Sequence, residues 1–400
     1  MESKAFDIRP ADRLADVTEY YFSRKLKEVA AMNAEGKDVI SLAIGSPDMP
    51  PSPETVETLC EEARKPTAHG YQPTIGIHEL RRAMASFYKR WYGVELDPNS
   101  EIQPLIGSKE GILHVTLAFV NVGDEVLVPN PGYPTYTSLS KLLGAKIVNY
   151  DLLPENDWQP DFEQLEKMDL SRVKLMWTNY PNMPTGARAR RETYEKLVDF
   201  ALRHNIIVVN DNPYSFILND GERLSILQVP RAKECCIEFN SMSKSHNMPG
   251  WSVGLLATNA QFVQWILKVK SNIDSGTFRA LQLAAAQAYD NSDLWHQQAN
   301  VETYAPRRRY AEEIMQVLGC QYDPQQTGMF LWGRIPDIYN NVEELTERIL
   351  HEASVFITPG FIFGSNGSRY IRISLCAKED KMKEALQRVK KLMGHEVPTK

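Results

Sequence analysis

Short apolar runs alternate with longer amphipathic stretches along most of the chain. The runs are rich in Val, Ile and Leu, which is typical of strands that are buried on both faces of a sheet. They predict strands at residues 102–106, 125–128, 146–150, 173–177, 206–210, 235–239 and 253–257, with helical stretches between most of them. Strands that alternate with helices form parallel sheets with right-handed crossovers. We therefore predict an α/β fold with a mainly parallel central sheet flanked by helices.

The pattern changes after about residue 290, and a proline-rich stretch at 49–53 marks a second change. We expect an N-terminal arm that forms part of a small domain (1–48), a large α/β domain (49–290) and a C-terminal small α+β domain (291–400). The last part combines predicted strands near 329–332, 354–358 and 369–374 with a final amphipathic helix. A helix predicted around residues 20–32 is expected to pack against it.

The composition is that of a large globular protein. With 400 residues, 43% of them hydrophobic and 24% charged, the chain can bury a substantial core and form more than one domain. The net charge is −6, and the basic residues are dispersed among acidic ones. This balance argues against nucleic acid or an anionic membrane as the main partner.

The cysteine and histidine patterns bear on compartment and on metal chemistry. The five cysteines form no Cys-x-x-Cys pair, and the eight histidines lack the i, i+4 spacing of a helical zinc site. No apolar stretch approaches the roughly 20 residues that cross a bilayer, and the charged N-terminus lacks a signal-peptide core. The sequence therefore predicts a cytoplasmic protein with reduced thiols, no membrane contact and no bound metal.

A lysine just after a predicted strand is the first candidate for chemistry. Lys244 follows the strand at 235–239 within a serine-rich turn, Ser241-Met242-Ser243-Lys244. In an apolar cleft a lysine loses its charge, and the neutral amine can attack an aldehyde. Taken alone, Lys244 would be better interpreted as a solvated surface lysine. Its assignment therefore depends on the neighbouring motifs.

Two further motifs lie at strand ends, where ligands of open α/β sheets bind. Asp211 and Tyr214 follow the strand at 206–210, and there a carboxylate can keep a pyridinium nitrogen protonated while a tyrosine binds a phenolic oxygen. The run Gly-Ser-Lys-Glu-Gly at 107–111 opens a helix, whose free amides suit a phosphate. Taken alone, Asp211 and Tyr214 are better explained as parts of a turn, and a single Gly-Ser turn before a helix is weak evidence for a phosphate site. Together with Lys244 they favour pyridoxal phosphate.

On these motifs the chain resembles the class I/II aminotransferases of the fold-type I pyridoxal phosphate enzymes. The resemblance extends from about Val39 to the C-terminal helix, and the runs at 107–111 and 271–276 are similar to those of the LL-diaminopimelate and alanine aminotransferase branch. It implies that Lys244 is the Schiff-base lysine and proton shuttle, that Asp211 binds the pyridine nitrogen and that Tyr214 binds the ring hydroxyl. The large domain would then bind the cofactor.

The resemblance also implies the remaining contacts of cofactor and substrate. Arg372 would grip the substrate α-carboxylate beside the backbone of Gly45, through the bidentate geometry that carboxylates favour. The contacts implied for the cofactor are Ser108, Lys109, Ser241 and Ser243 around the phosphate, Tyr133 stacked on the ring and Tyr71 at the phosphate of a partner subunit. The expected protein is a homodimer with shared active sites that moves an amino group between an L-amino acid and a 2-oxo acid in a ping-pong cycle.

Two positions depart from the family pattern. Met183 stands where the family has an asparagine that donates to the ring hydroxyl oxygen, and Ser252 stands where it has an arginine that pairs with the phosphate. Hydrogen bonds to charged groups contribute about 1.5–3 kcal/mol, so losing the arginine is expected to weaken cofactor binding roughly tenfold to a hundredfold. Asn182 or Asn179 is a candidate to replace the ring contact, and Lys109 is a candidate to replace the phosphate charge. We expect a slower or pH-shifted enzyme.

Two other functions stay open at this point. The same lysine and aspartate would serve a pyridoxal phosphate-dependent lyase that cleaves a C–S bond by β-elimination. The residues Met183 and Ser252 are compatible with a degenerate, non-catalytic member of the fold. The sequence does not indicate the side chain of the donor, although Phe278 stands where dicarboxylate-specific relatives carry arginine and the adjacent Arg279 is left unassigned.

Overall fold

The computed structural model describes residues 8–15, 21–291 and 299–394. Its strands are β1 (Ile40–Ser41), β2 (Ile102–Leu105), β3 (Glu125–Asn130), β4 (Lys146–Asp151), β5 (Val173–Asn179), β6 (Ile207–Asp211), β7 (Cys236–Ser241), β8 (Gly254–Ala257), β9 (Phe330–Arg334), β10 (Val355–Phe356), β11 (Thr358–Pro359) and β12 (Tyr370–Ser374). Its α-helices are α1 (Tyr21–Ala34), α2 (Pro53–Ala63), α3 (His78–Tyr92), α4 (Ser108–Phe119), α5 (Pro134–Leu142), α6 (Phe162–Leu165), α7 (Arg191–His204), α8 (Ala232–Cys235), α9 (Met242–Ser245), α10 (Ala260–Lys270), α11 (Arg279–Asp290), α12 (Ala305–Val317), α13 (Val342–Ala353) and α14 (Glu379–Leu392).

Seven of the described strands form a central sheet in the order β2-β8-β7-β6-β5-β3-β4. Strands β3 to β7 are parallel, which confirms the predicted α/β fold with a mainly parallel sheet. Strand β8 is antiparallel to both of its neighbours, a direction that the apolar pattern did not indicate. The reason is that Ser241 at the end of β7 pairs with Gly254 at the start of β8. The connection at 242–253 therefore stays at one edge of the sheet instead of crossing a face.

Helices cover both faces of this sheet, and each face has its own apolar core. On one face Phe87 and Tyr88 of α3 belong to a large apolar cluster that also contains Met176 of β5. On the other face Ile112 of α4 packs in a cluster with Trp177 of β5. Because both faces are filled with apolar side chains, ligands can reach polar side chains only at the ends of the strands.

The smaller part of the molecule contains the antiparallel sheet β11-β12-β9, the short parallel pair β1-β10 and the helices α12 to α14. The strand predicted at 354–358 is two strands, because β10 pairs with β1 whereas β11 pairs with β12. Helix α1 packs here as predicted. Lys25 lies 2.6 Å from Glu347 in an ion pair, and the rings of Phe22 and Phe356 are 6.4 Å apart. The domain limits at residues 48 and 290 stay predictions.

The two parts meet at the carboxyl edge of the central sheet. The apolar core of the smaller part includes Met183, Tyr214 and Ile217, which come from loops at that edge. The smaller part therefore covers the strand ends and leaves a cavity between the two. Within the described residues, no helix has the length and apolar character needed to cross a bilayer.

Candidate active site

A cavity of about 690 Å³ lies between the carboxyl edge of the central sheet and the smaller part of the molecule. This volume is typical of small-molecule sites. Most of the predicted site residues line it: Gly45, Ser108, Lys109, Tyr133, Asp211, Tyr214, Ser241, Ser243, Lys244, Ser252 and Arg372. Tyr71 and Asn182 are not among the lining residues. The fold thus brings together groups that are up to about 330 positions apart in the sequence.

Lys244 lies on the short helix α9, directly after strand β7. The Ser241 hydroxyl accepts a hydrogen bond from the Ser243 amide and so caps this turn. The Lys244 amine donates to the Gly45 carbonyl oxygen at 2.6 Å. Burial lowers the pKa of Lys244 below its usual value. The neutral, nucleophilic amine is therefore more populated than it would be in water.

Asp211 ends strand β6, is buried and lines the cavity. Its Oδ2 accepts a hydrogen bond of 3.0 Å from the Tyr136 hydroxyl, and the Tyr136 ring stacks on Trp177 with centroids 4.9 Å apart. Its Oδ1 has no hydrogen-bond partner in the part of the chain that the structure describes. Burial raises the pKa of Asp211 to about 6, against the lowering effect of the Tyr136 hydrogen bond. A buried carboxylate with one open oxygen suits a cationic N–H group.

Asn179 and Asn182, the two candidates to replace the ring-hydroxyl donor, form hydrogen bonds within the protein. Asn179 lines the cavity, but its amide donates to a backbone carbonyl oxygen at 2.6 Å and its Oδ1 accepts from the Met183 amide at 2.7 Å. The Asn182 amide group is held within a turn, since its Nδ2 donates to the Asn179 carbonyl oxygen and its Oδ1 accepts from the Thr185 amide and hydroxyl. Asn182 is not among the lining residues and Tyr214 is, and the contacts of both with the cofactor stay predictions.

The phosphate site predicted at residues 107–111 follows strand β2, and together with Ser252 we call it the cradle. Gly107 has a φ of +76°, a left-handed conformation that turns the chain into α4. Ser108 and Lys109, the first residues of α4, line the cavity where the helix presents its free amides and the positive end of its dipole. Among the described residues the buried Ser108 hydroxyl has no hydrogen-bond partner. With Ser252, which lines the same cavity, the cradle offers amides, hydroxyls and the Lys109 ammonium to a phosphate.

Arg372 lies on strand β12 and is 5% exposed. One guanidinium nitrogen donates to the Ala43 carbonyl oxygen at 2.7 Å, and another lies 3.2 Å from the Met183 sulfur. The guanidinium carbon is 3.9 Å from the centroid of the Phe330 ring and 4.7 Å from that of Phe363. These contacts hold the guanidinium at the cavity wall, where it can bind a carboxylate.

Tyr71 lies outside this cavity, and 96% of it is exposed. Its loop is held by a backbone bridge between Gln72 and Gly276. The two segments are so close that a Cβ atom at Gly276 would lie 2.3 Å from the Pro73 carbonyl oxygen. A large aromatic side chain presented in this way is typical of an interface. Its role in a partner's site stays a prediction.

Sequence reasoning missed Tyr136 and the aromatic residues around Arg372. Tyr136 lies one helical turn after Tyr133 on α5, so helical spacing was the available signal. Phe330 carries no comparable signal, because only the antiparallel pairing of β9 with β12 places it diagonally across from Arg372. Arg279, which was left unassigned, forms an ion pair of 3.0 Å with Glu79.

The geometry fits pyridoxal phosphate on three counts. The open Oδ1 of Asp211 suits the N–H group of a pyridinium ring. The unpartnered hydroxyl of Ser108 and the amides of α4 suit the phosphate. The amine of Lys244 faces the same cavity and suits an aldehyde.

Comparison with known proteins agrees with this fit. The family model "Aminotransferase class I and II" matches residues 37–389. The LL-diaminopimelate aminotransferase of Dehalococcoides mccartyi is 39% identical to this chain and that of Oleidesulfovibrio alaskensis 40%, each over 384 residues that cover 96% of this chain and 98% of the relative. The substrate-bound structure of BacF from Bacillus subtilis has a TM-score of 0.90 at 35% identity and covers 97% of this chain and 98% of that one. The chain belongs to the class I and II aminotransferase family and is a pyridoxal phosphate-dependent aminotransferase.

Proposed function

We propose that amino-group transfer takes place in the cavity around Lys244. Bound pyridoxal phosphate supplies an aldehyde that captures the donor's amine and a ring that withdraws electrons from the bond to be broken. The Lys244 amine takes the proton from the donor's Cα as a general base and returns it as a general acid. The proposal rests on one observation: Lys244, Arg372 and Asp211 with its open oxygen line the same cavity.

Asp211 keeps the ring nitrogen protonated in this scheme. A carboxylate does so only while it is ionised, and burial works against that state by raising the pKa of Asp211. The hydrogen bond from Tyr136 favours the ionised form, so Tyr136 acts as the positioning residue of this carboxylate. Tyr214 binds the ring hydroxyl, in line with its place on the adjoining wall.

Arg372 binds the α-carboxylate of the donor and of the 2-oxo acid. Its cation is flanked by the Phe330 and Phe363 rings, which exclude water from the pair and strengthen it. Gly45 lies beside it, and Phe330 explains why glycine is needed there. A Cβ atom at Gly45 would lie 2.2 Å from a carbon of the Phe330 ring.

We propose further that the protein works as a homodimer in the cytoplasm. The exposed Tyr71 supports the dimer, since it has a role in catalysis only when a second subunit receives it. Sedimentation measurements on the wild type and on Tyr71→Ala test this arrangement together with the affinity for pyridoxal phosphate. We expect Tyr71→Ala to remain a dimer and to bind the cofactor more weakly. An unchanged cofactor affinity would contradict the shared site.

The donors are proposed to be amino acids with apolar side chains. The lining of the cavity includes the apolar side chains of Phe22, Leu26 and Ile44, and the last two are 38% and 43% exposed. Among the described lining residues, the charged side chains other than Arg372 all have a role toward the cofactor: Lys109, Asp211 and Lys244. A second charge on the donor would therefore enter this wall unpaired, which is costly. LL-diaminopimelate, which the relatives' names suggest, carries such charges at its far end.

The absorption spectrum of the reconstituted protein tests the proposal. Addition of an amino acid without a 2-oxo acid should convert the cofactor from its pyridoxal to its pyridoxamine form. Lys244→Ala is the control and should show no conversion. We expect phenylalanine, leucine or methionine to convert the wild type faster than LL-diaminopimelate does. A faster reaction with LL-diaminopimelate would refute the donor class, and release of pyruvate and ammonia without a pyridoxamine form would indicate the lyase.

A further inference from the structure

A group of four ionisable side chains lies behind the anion cradle, outside the active-site cavity. It consists of Glu110 and His114 from α4, Lys270 from the end of α10 and Asp274 from the loop that follows. Lys270 is 3% exposed, and lysine is almost never so buried unless it is paired. This group lies next to the cradle, and the proposed chemistry gives it no role.

Glu110 connects the group to the cradle. Its Oε2 accepts a hydrogen bond from the Ile106 amide, one residue before the Gly107 turn from which Ser108 and Lys109 begin. An acid in the first helical turn that binds a backbone amide behind it is a common way to fix a helix start. The same carboxylate also brings a negative charge close to a site built for an anion. Unless that charge is neutralised, it disfavours the binding of a phosphate.

Lys270 is positioned to neutralise this carboxylate. Its ammonium contacts Glu110 Oε1 and lies 2.8 and 2.9 Å from the two oxygens of Asp274, while His114 Nε2 is 2.6 Å from Glu110 Oε1. Burial raises the pKa of Glu110, but the hydrogen bonds from His114 and Lys270 lower it to about 2, so the carboxylate is ionised at neutral pH. The ammonium thus occupies the position between two carboxylates that a metal ion would take.

The layer between Lys270 and the cradle is thin. A cavity of about 20 Å³ is lined by Lys270, Ile106 and Ser252, and Ser252 also lines the active-site cavity. With an uncharged serine at this position, the groups of the described cradle that attract a phosphate are the Lys109 ammonium and the free amides of α4. An unpaired Glu110 would cancel part of their attraction for the phosphate.

We propose that Lys270 is a positioning residue for phosphate binding: it neutralises Glu110, so that this acid can hold the cradle turn without repelling the anion. The inference rests on the proposed function in one respect, namely that the cradle receives the phosphate of pyridoxal phosphate. It concerns electrostatics at the cradle and not the proton transfer by Lys244.

Binding of inorganic phosphate to the cofactor-free protein tests the proposal by calorimetry, with pyridoxal phosphate as the competitor that identifies the site. We expect Lys270→Met to bind phosphate at least roughly tenfold more weakly, because Glu110 and Asp274 then both lose their cation. The double variant Lys270→Met/Glu110→Gln should regain part of the affinity, because the glutamine can still accept from the Ile106 amide but carries no charge, which leaves Asp274 as the one carboxylate without its cation. Lys268→Met, an exposed lysine of the same helix, is the matched control and should bind as the wild type does.

Two results would overturn the proposal: Lys270→Met that binds phosphate like the wild type, or a double variant that binds as weakly as Lys270→Met. The second result would assign to Lys270 a purely structural role. If Lys270→Met does not fold, the single variant Glu110→Gln tests the proposal. It should bind phosphate at least as tightly as the wild type, and weaker binding would refute the argument. Because phosphate binding is measured without a donor, failure of amino-group transfer in the reconstituted wild type would count against the proposed function alone.

Discussion

The hydrogen bond between Tyr136 and Asp211 allows the sharpest prediction from the structure. The Tyr136 hydroxyl donates to Asp211 Oδ2 at 3.0 Å, and both side chains are buried. A hydrogen bond to a charged group contributes about 1.5–3 kcal/mol, which corresponds to about 1–2 pKa units. The substitution Tyr136→Phe removes this donor and keeps the ring that stacks on Trp177. We therefore expect the pKa of Asp211 to rise from about 6 to about 7–8 in the protein without cofactor.

The consequence for catalysis has a definite sign. A protonated Asp211 cannot hold the proton on the ring nitrogen, so the rate of amino-group transfer should fall on the acid side. The acid limb of the pH–rate profile, measured for the first half-reaction by stopped-flow absorbance at saturating donor, should move up by about 1–2 pH units in Tyr136→Phe. Tyr150→Phe is a matched control, because this buried tyrosine donates to the Trp177 carbonyl oxygen at 2.7 Å and not to Asp211. If the profiles of Tyr136→Phe and the wild type superimpose, the reasoning is refuted.

Three further variants probe the same cavity. Met183→Asn supplies a donor to the ring hydroxyl oxygen, so the pH titration of the bound cofactor's absorbance should shift to lower pH, and coincident curves for the two proteins would disprove the effect. Ser252→Arg should increase the affinity for pyridoxal phosphate roughly tenfold to a hundredfold in equilibrium dialysis. The affinity for pyridoxal, which lacks the phosphate, should not increase. In the cofactor-free protein, the raised pKa of Asp211 stabilises the fold at acid pH, and about 3 kcal/mol of this contribution should be lost as the pH rises from about 4 through about 6. Urea unfolding across that range should show the loss in the wild type and not in Asp211→Asn, and equal slopes for the two would contradict the pKa of Asp211.

The apolar pattern was sufficient for the central sheet and for the strand ends that carry chemistry. Strands β5 and β6 begin within one residue of their predicted starts, because the short, mainly apolar runs at 173–177 and 206–210 are buried when they form central strands of the sheet. Lys244 and Asp211 could be placed in one site for the same reason, since the ends of neighbouring parallel strands meet at one edge.

The features that the sequence left undetermined depend on long-range contacts. The direction of β8 follows from where Gly254 pairs, and Asn182 is occupied by a turn that its neighbours form. The pairing of Lys270 with Glu110 joins residues from two helices that are far apart in the chain. No local periodicity encodes such contacts, because they arise only when the whole domain is packed.

Transfer of an isotopically labelled amino nitrogen tests the central claim most directly. The reconstituted wild type would be incubated with a labelled apolar amino acid and an unlabelled 2-oxo acid, and the new amino acid would be analysed by mass spectrometry. The account predicts that the label appears in the new amino acid with the wild type and not with Lys244→Ala. Label released as ammonia, or transfer that survives in Lys244→Ala, would contradict it.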